Sequence, residues 1–218
     1  MKKQLIATLI VGATIIPALQ GCFPVVAAGV TTGVLATFDR RTLGVQTDDE
    51  TIEWKAASRA SEKFGDKAHL NFTSFNRRVL ITGEVPTEQA KADVESLTGT
   101  IPNVQHVMNE ATVGPVSSFS NRSNDSFITS KIKSRSVDTG RFNPVHVKVV
   151  TEAGVAYLLG LVTQAEADAA INVARTTSGV RKVVNLFEII SPAAARELDV
   201  AQSKNSGNKT QPPPVEAR

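Results

Sequence analysis

Cysteine is nearly absent: Cys22 is the single cysteine in 218 residues. No internal disulfide can form, so any folded part must be held by its core alone. Histidine is scarce too. His69, His106 and His146 fall one by one in strand-like segments, with no acidic or histidine neighbour at metal-ligand spacing. There is no glycine-rich phosphate loop and no serine in a nucleophile-elbow pattern. Glu50 and Glu53 read as a solvated first helical turn rather than an acid/base pair. These absences point to a protein that is not an enzyme and needs no cofactor or metal. A one-signed charge excess is also missing. The whole chain is +3, but residues 1–21 hold Lys2 and Lys3 and no acid, which leaves 22 basic against 21 acidic residues beyond them. The charge balance gives no reason to expect a nucleic-acid partner. Finally, no apolar run is long enough to span a bilayer. Leu5 to Leu19 (LIATLIVGATIIPAL) has about 15 residues, where a membrane helix needs about 20.

That short run follows two lysines and ends in Leu19-Gln20-Gly21-Cys22. A basic start, a short apolar stretch and a small residue before the cut make a secretory signal, and the ending resembles a bacterial lipobox. Residues 1–21 are therefore expected to be removed and Cys22 to carry diacylglycerol and a further acyl chain such as palmitate. Each buried acyl CH₂ contributes about 0.8 kcal/mol, and two or three chains make a lasting anchor. Phe23 follows the cysteine, where the resemblance associates an aspartate with inner-membrane retention, so the outer membrane is the expected destination. Residues 22–47 read as a lipidated tether, and 191–218 (ending SKNSGNKTQPPPVEAR) as a disordered tail.

Between tether and tail, two segments repeat. Gly83 matches Gly160, Val85 Val162, Ala90 Ala167, Val94 Ile171 and Leu97 Ala174. After a one-residue slip, Val104 matches Val180, Val107 Val183 and Asn109 Asn185. The pattern predicts a duplicated α+β domain, 48–114 and 125–190, joined by a linker at 115–124. Each copy reads as helix, strand, strand, helix, strand. The opening helices are Asp49 to Phe64 and Asp125 to Arg135, with the aspartates as N-caps. Gly83 and Gly160 lie inside second strands, where a bulge or close backbone approach is expected. Thr87 and Thr163 cap the second helices, the latter with Glu166 in a capping box. Domains this small bury little core alone, so the two copies are expected to pack together.

Charge separates the copies. Asp48 to Val113 holds 11 acids against 7 bases, and Asn121 to Ile190 holds 6 against 9. The second copy's opening helix (DSFITSKIKSR) has no acid after Asp125. At 100° per residue, Ile128 and Ile132 face the sheet, and Phe127 and Lys131 share the edge beside them, one turn apart. From these residues alone, Phe127 reads equally as core beside a wet lysine face or as an interfacial anchor meeting an anionic bilayer. Trp54, beside Glu50 and Glu53, reads as core or inter-domain packing. Arg40 and Arg41 read either as headgroup contacts or as solubilising charges on the tether.

The helix-strand-strand-helix-strand order, the duplication, the strand glycine and the ending Gly179-Val180-x-x-Val183-x-Asn185 resemble the BON domain. With the lipobox and the segment DRRTLGVQTDD (Asp39 to Asp49), the chain resembles the dual-BON outer-membrane lipoproteins of the DolP type. The resemblance covers Asp39 to Ile190, and Ile101-Pro102-Asn103 departs from the Ser178-Gly179 of the second copy. It implies a non-catalytic, periplasm-facing lipoprotein that binds an anionic phospholipid membrane through the first helix of its second domain, with Phe127, Ile128, Lys131, Lys133 and Arg135 as contacts. It also implies a part in outer-membrane integrity and cell division. The alternative is an adaptor for outer-membrane assembly or division proteins, including regulators of cell-wall amidases.

Overall fold

The computed structural model describes residues 39–207. The expected leader, Cys22, the tether as far as residue 38, and residues 208–218 of the expected tail lie outside the described residues. In the first copy, helix α1 (Leu43–Phe64) leads through a 3-10 turn into the hairpin β1 (His69–Phe75) and β2 (Arg78–Val85). Helix α2 (Glu88–Gly99) and strands β3 (His106–Asn109) and β4 (Thr112–Val113) follow. The second copy repeats the order with α3 (Phe119–Thr139), a 3-10 turn at Pro144–His146, β5 (Lys148–Glu152), β6 (Val155–Leu159), β7 (Leu161–Val162), α4 (Gln164–Arg175), β8 (Lys182–Asn185) and β9 (Glu188–Ile189). Helix α5 (Pro192–Gly207) closes the described chain. In each copy the hairpin is antiparallel; in the first β3 and β4 pair in parallel with β2, and in the second β8 pairs in parallel with β6 and β9 with β7.

The opening helices begin earlier than the sequence suggests. Thr42 caps α1, its side chain accepting the Val45 N–H, and Ser118 caps α3, accepting the Asn121 N–H. Asp49 and Asp125 are therefore not N-caps. Both are buried mid-helix, and each spends its carboxylate on the hairpin of its own copy. Asp49 accepts the N–H groups of Asn76 and Arg77 at 2.9 and 2.7 Å, and Asp125 those of Ala153 and Gly154 at 2.9 and 2.8 Å. All four turn residues have positive φ, as a type I′ hairpin turn requires. For Asn76, Arg77 and Ala153 that conformation is strained, and the aspartate bonds offset it. With α1 starting at Leu43 and α3 at Phe119, helix extends into both the expected tether and the expected linker. The expected tail is helical as far as Gly207. Ala195 is buried, so this segment does find apolar surface to cover.

Both faces of the central strands are buried. In β2, Val79, Ile81 and Val85 meet Ile52, Ala56 and Ala60 of α1 and Ala90 and Val94 of α2. In β6, Ala156 and Leu158 meet Ile128 and Ile132 of α3 and the alanines of α4. The alternate residues point the other way. Phe75, Leu80, Tyr157 and Leu159 form one shared cluster joined by Met108, Val150, Val184 and Leu186. The helix-free faces of the two sheets thus stack on each other, giving helix, sheet, sheet, helix layers with α1 and α3 on opposite outer sides. Polar links rim the apolar seam: Lys148 Nζ lies 2.6 Å from Glu53 Oε1, and the Asn71 amide donates to Glu152 at 2.8 Å. Burial, with Glu84 nearby, pushes the Glu152 carboxyl up.

The expected close approach at the strand glycines is present. A Cβ on Gly83 would lie 2.0 Å from the carbonyl oxygen of His69, and one on Gly160 would lie 2.2 Å from that of His146. Gly83 lies in the β1–β2 ladder and Gly160 in the one-residue break between β6 and β7, and only glycine fits at either spacing. The Thr163–Glu166 capping box also forms as expected.

Candidate functional site

Helix α3 presents its outer side to solvent along its whole length. Phe127 is 61% exposed, Phe119 79% and Val137 67%. On a 3.6-residue helix Phe119 and Val137 share one angle about 80° from Phe127, and the pair stand about 27 Å apart along the axis. Serines 123, 126, 130 and 134 fill the face between them. Two of these hydroxyls turn back onto the helix, Ser126 to the Arg122 carbonyl and Ser130 to the Ser126 carbonyl. A hydroxyl satisfied in this way costs little to remove from water. The face is therefore more apolar than its composition.

Ile128 does not belong to it. Its side chain is 1% exposed and sits in the core with Ile132, so the expectation that Ile128 touches lipid is corrected. The 100° step from Phe127 turns it inward onto the sheet. Lys131 stands with its ammonium 4.9 Å from the Phe127 ring centroid and donates to the Ser178 carbonyl. Lys133 is exposed. Arg135 is exposed but reaches across to the end of α4, donating to the Val173 carbonyl at 3.1 Å and the Thr177 hydroxyl at 2.7 Å. Lys131 and Arg135 thus supply charge while satisfying carbonyls at and just beyond a neighbouring helix end. Among the described residues no helix is long and apolar enough to cross a membrane.

Residues 48–115 and 124–191 both match the family profile of the BON domain. Over 184 residues the chain is 39% identical to the outer membrane lipoprotein DolP of Haemophilus influenzae, covering 84% of this chain and 94% of that one. The chain is a dual-BON lipoprotein of the DolP type. A second relative, a 21 kDa hemolysin of Actinobacillus pleuropneumoniae, is 34% identical over 70% of this chain and 79% of its own length. A solved structure, the C-terminal domain of the type III secretion protein CdsD of Chlamydia trachomatis, overlays at a TM-score of 0.27 with 12% identity, covering 69% of this chain and all of that one. That likeness is too low to bear on function.

In this dual-BON chain, Trp54 is 70% exposed on α1, which corrects its expected role in packing. The inward positions of α1 are Asp49, Ile52, Ala56 and Ala60, and Trp54 lies off that stripe. His146 is also not isolated. It is buried within 3.8 Å of Glu166 and 3.7 Å of Asp199, partners far away in sequence. Arg40 and Arg41 are no solvent tether charges either, since both are engaged in ion pairs with the folded body. Phe119 and Val137 are the residues that sequence reading missed. Ser118 ahead of Phe119 was the available signal, a cap one turn before the polar run NRSND.

Proposed function

We propose that this dual-BON lipoprotein binds anionic phospholipid through the outer face of α3, on the periplasmic side of the outer membrane, and so supports envelope integrity and division-site processes. The observation that carries this reading is the exposure of Phe127 under the Lys131 ammonium, on a face continued by Phe119 and Val137. A phenyl ring transferred from water contributes about 2 kcal/mol, and each cation near an anionic surface about 1 kcal/mol. Such energies are modest for a free protein and ample for one already anchored by acyl chains. The name of the Haemophilus relative supports the outer-membrane location. The test is flotation of the soluble chain with vesicles containing or lacking phosphatidylglycerol or cardiolipin. Binding should require the anionic lipid, and Phe127→Glu with Lys131→Glu should abolish it. Unchanged flotation of that variant would reject α3 as the site.

The adaptor reading is favoured by one observation of its own. Trp54 is exposed on the outer layer opposite α3, where a bilayer lying on α3 does not reach. Trp54→Ser is expected to leave flotation intact and, in this reading, to abolish co-purification of an envelope assembly or amidase-regulating partner.

A further inference from the structure

Helix α3 does not stand alone on the outer side of the second domain. Arg135 donates to the Val173 carbonyl and to the hydroxyls of Thr176 and Thr177, at 3.1, 2.9 and 2.7 Å. One turn earlier on α3, Lys131 donates to the Ser178 carbonyl. Gly179 follows with φ +100°, and a Cβ there would lie 2.9 Å from the Ile128 side chain, so only glycine lets the turn lie this close. Arg181 then donates to the Ala153 carbonyl, on the hairpin turn that Asp125 holds. The chain from Thr176 to Arg181 therefore runs antiparallel along one flank of α3, the flank of Lys131 and Arg135.

That flank is cationic. Arg175, the last residue of α4, and Arg181 are both exposed. At 100° per residue Arg175 stands about 140° from the buried Ala170, turned away from the core. Arg175 spends one donor on the Asn172 amide oxygen at 3.4 Å, and Arg181 one on Ala153. Among the described residues, none of Lys131, Arg135, Arg175 and Arg181 has a carboxylate within ion-pair distance.

The first copy shares only part of this surface. Counted from the paired aspartates, Lys55 and Arg59 match Lys131 and Arg135, but Thr51 stands where Phe127 does. Gly99 ends α2 as Arg175 ends α4. Gln105 takes the place of Arg181: its N–H bonds the Arg77 carbonyl as that of Arg181 bonds the Gly154 carbonyl. The second copy thus differs by one aromatic ring and two guanidinium groups, and folding gathers all three onto one surface.

We propose that the Arg175–Arg181 shoulder is a second membrane contact, an electrostatic one, binding headgroup phosphates of the same anionic bilayer that takes Phe127. This deepens the lipid-contact reading and rests on it. Both side chains keep donors free for phosphate oxygens. A soluble polyanion would use the cations alone. A bilayer offers phosphate and hydrocarbon together, which matches a cationic flank beside an apolar face.

Flotation of the soluble chain, titrated with vesicles of phosphatidylethanolamine and phosphatidylglycerol, tests this. Arg175→Ser with Arg181→Ser should raise the lipid concentration for half-binding at least about fivefold, since each cation near an anionic surface is worth roughly that factor. Lys67→Ser with Lys91→Ser removes the same charge from the first domain and should change it less than about twofold. Equal effects from the two pairs, or none from the arginine pair, would overturn the shoulder. Arg175→Lys with Arg181→Lys keeps the charge and should keep most of the binding. A loss as large as with serine would show a structural role and overturn the electrostatic contact. A wild-type chain that floats equally without phosphatidylglycerol would reject the lipid reading, and the shoulder with it. Binding lost in Phe127→Glu with Lys131→Glu but kept in the arginine pair would reject the shoulder alone.

Discussion

Asp49 and Asp125 hold the same place in the two copies: each is the buried seventh residue of an opening helix and accepts both N–H groups of a type I′ turn in the hairpin below. The turn's positive φ values and the helix's attachment to the sheet are thus secured by one carboxylate. Asp125→Ala strands the buried Gly154 N–H, at about 1–3 kcal/mol, and leaves the part-buried Ala153 N–H to water. A loss of about 2–4 kcal/mol is expected in urea unfolding. Asp49→Ala should cost more, because Ser74 and Arg41 also donate to it.

Gly160→Ala and Gly83→Ala should be worse still. The added methyl would stand 2.0 Å from the His69 carbonyl across the β1–β2 ladder, or 2.2 Å from the His146 carbonyl at the end of its 3-10 turn. Little soluble protein is expected from either variant, and circular dichroism of what remains should show lost strand signal. A Tm close to wild type would contradict the spacing.

The Arg40–Glu166 ion pair predicts a definite response to acid. Burial alone would raise the Glu166 carboxyl, but the Arg40 fork and the Thr163 N–H and hydroxyl hold it at about 2, against an ordinary 4.5. A carboxylate depressed on folding stabilises the protein fully above 4.5, and that contribution fades as pH falls toward 2. Glu166→Gln should therefore lower stability near neutrality by about 2–3 kcal/mol. The two stability curves should converge as pH drops through this window. A constant gap down to pH 2 would show that the ion pair is not what stabilises this corner.

The α3 face predicts a division of labour between neighbours. Val137→Ser and Phe119→Ser should each weaken flotation with anionic vesicles a few-fold and leave Tm within about 2 °C, as surface substitutions do. Ile128→Ala should do the reverse, costing about 2–4 kcal/mol of stability through the cavity it leaves. Flotation should then fall only as far as the folded fraction does.

Much of this architecture was legible in the chain. The repeat, the element order, the Thr163–Glu166 cap and the demand for glycine at 83 and 160 are local facts, written in spacing and side-chain chemistry. The lysine-rich run on α3 was equally plain. The true starts of α1 and α3 were not, because an aspartate shortly ahead of an apolar helical stripe has the same local pattern whether it caps a helix or braces a hairpin. Misplacing that start hid Phe119, and ending the helix at Arg135 rather than Thr139 left Val137 beyond it.

By itself the sequence determined a duplicated α+β domain, with an inward helical stripe at Ile128 and Ile132, since periodicity dictates which residues must be buried. Only the tertiary structure decided the partners of those elements. It stacked the two sheets through Phe75, Leu80, Tyr157 and Leu159, left Trp54 and Phe127 on opposite outer sides, and drew Arg40 onto Glu166 and Asp199. The physical reason is distance along the chain. Contacts between residues more than a hundred positions apart leave no local pattern, and a charged side chain reads as solvated until folding brings it a counter-charge.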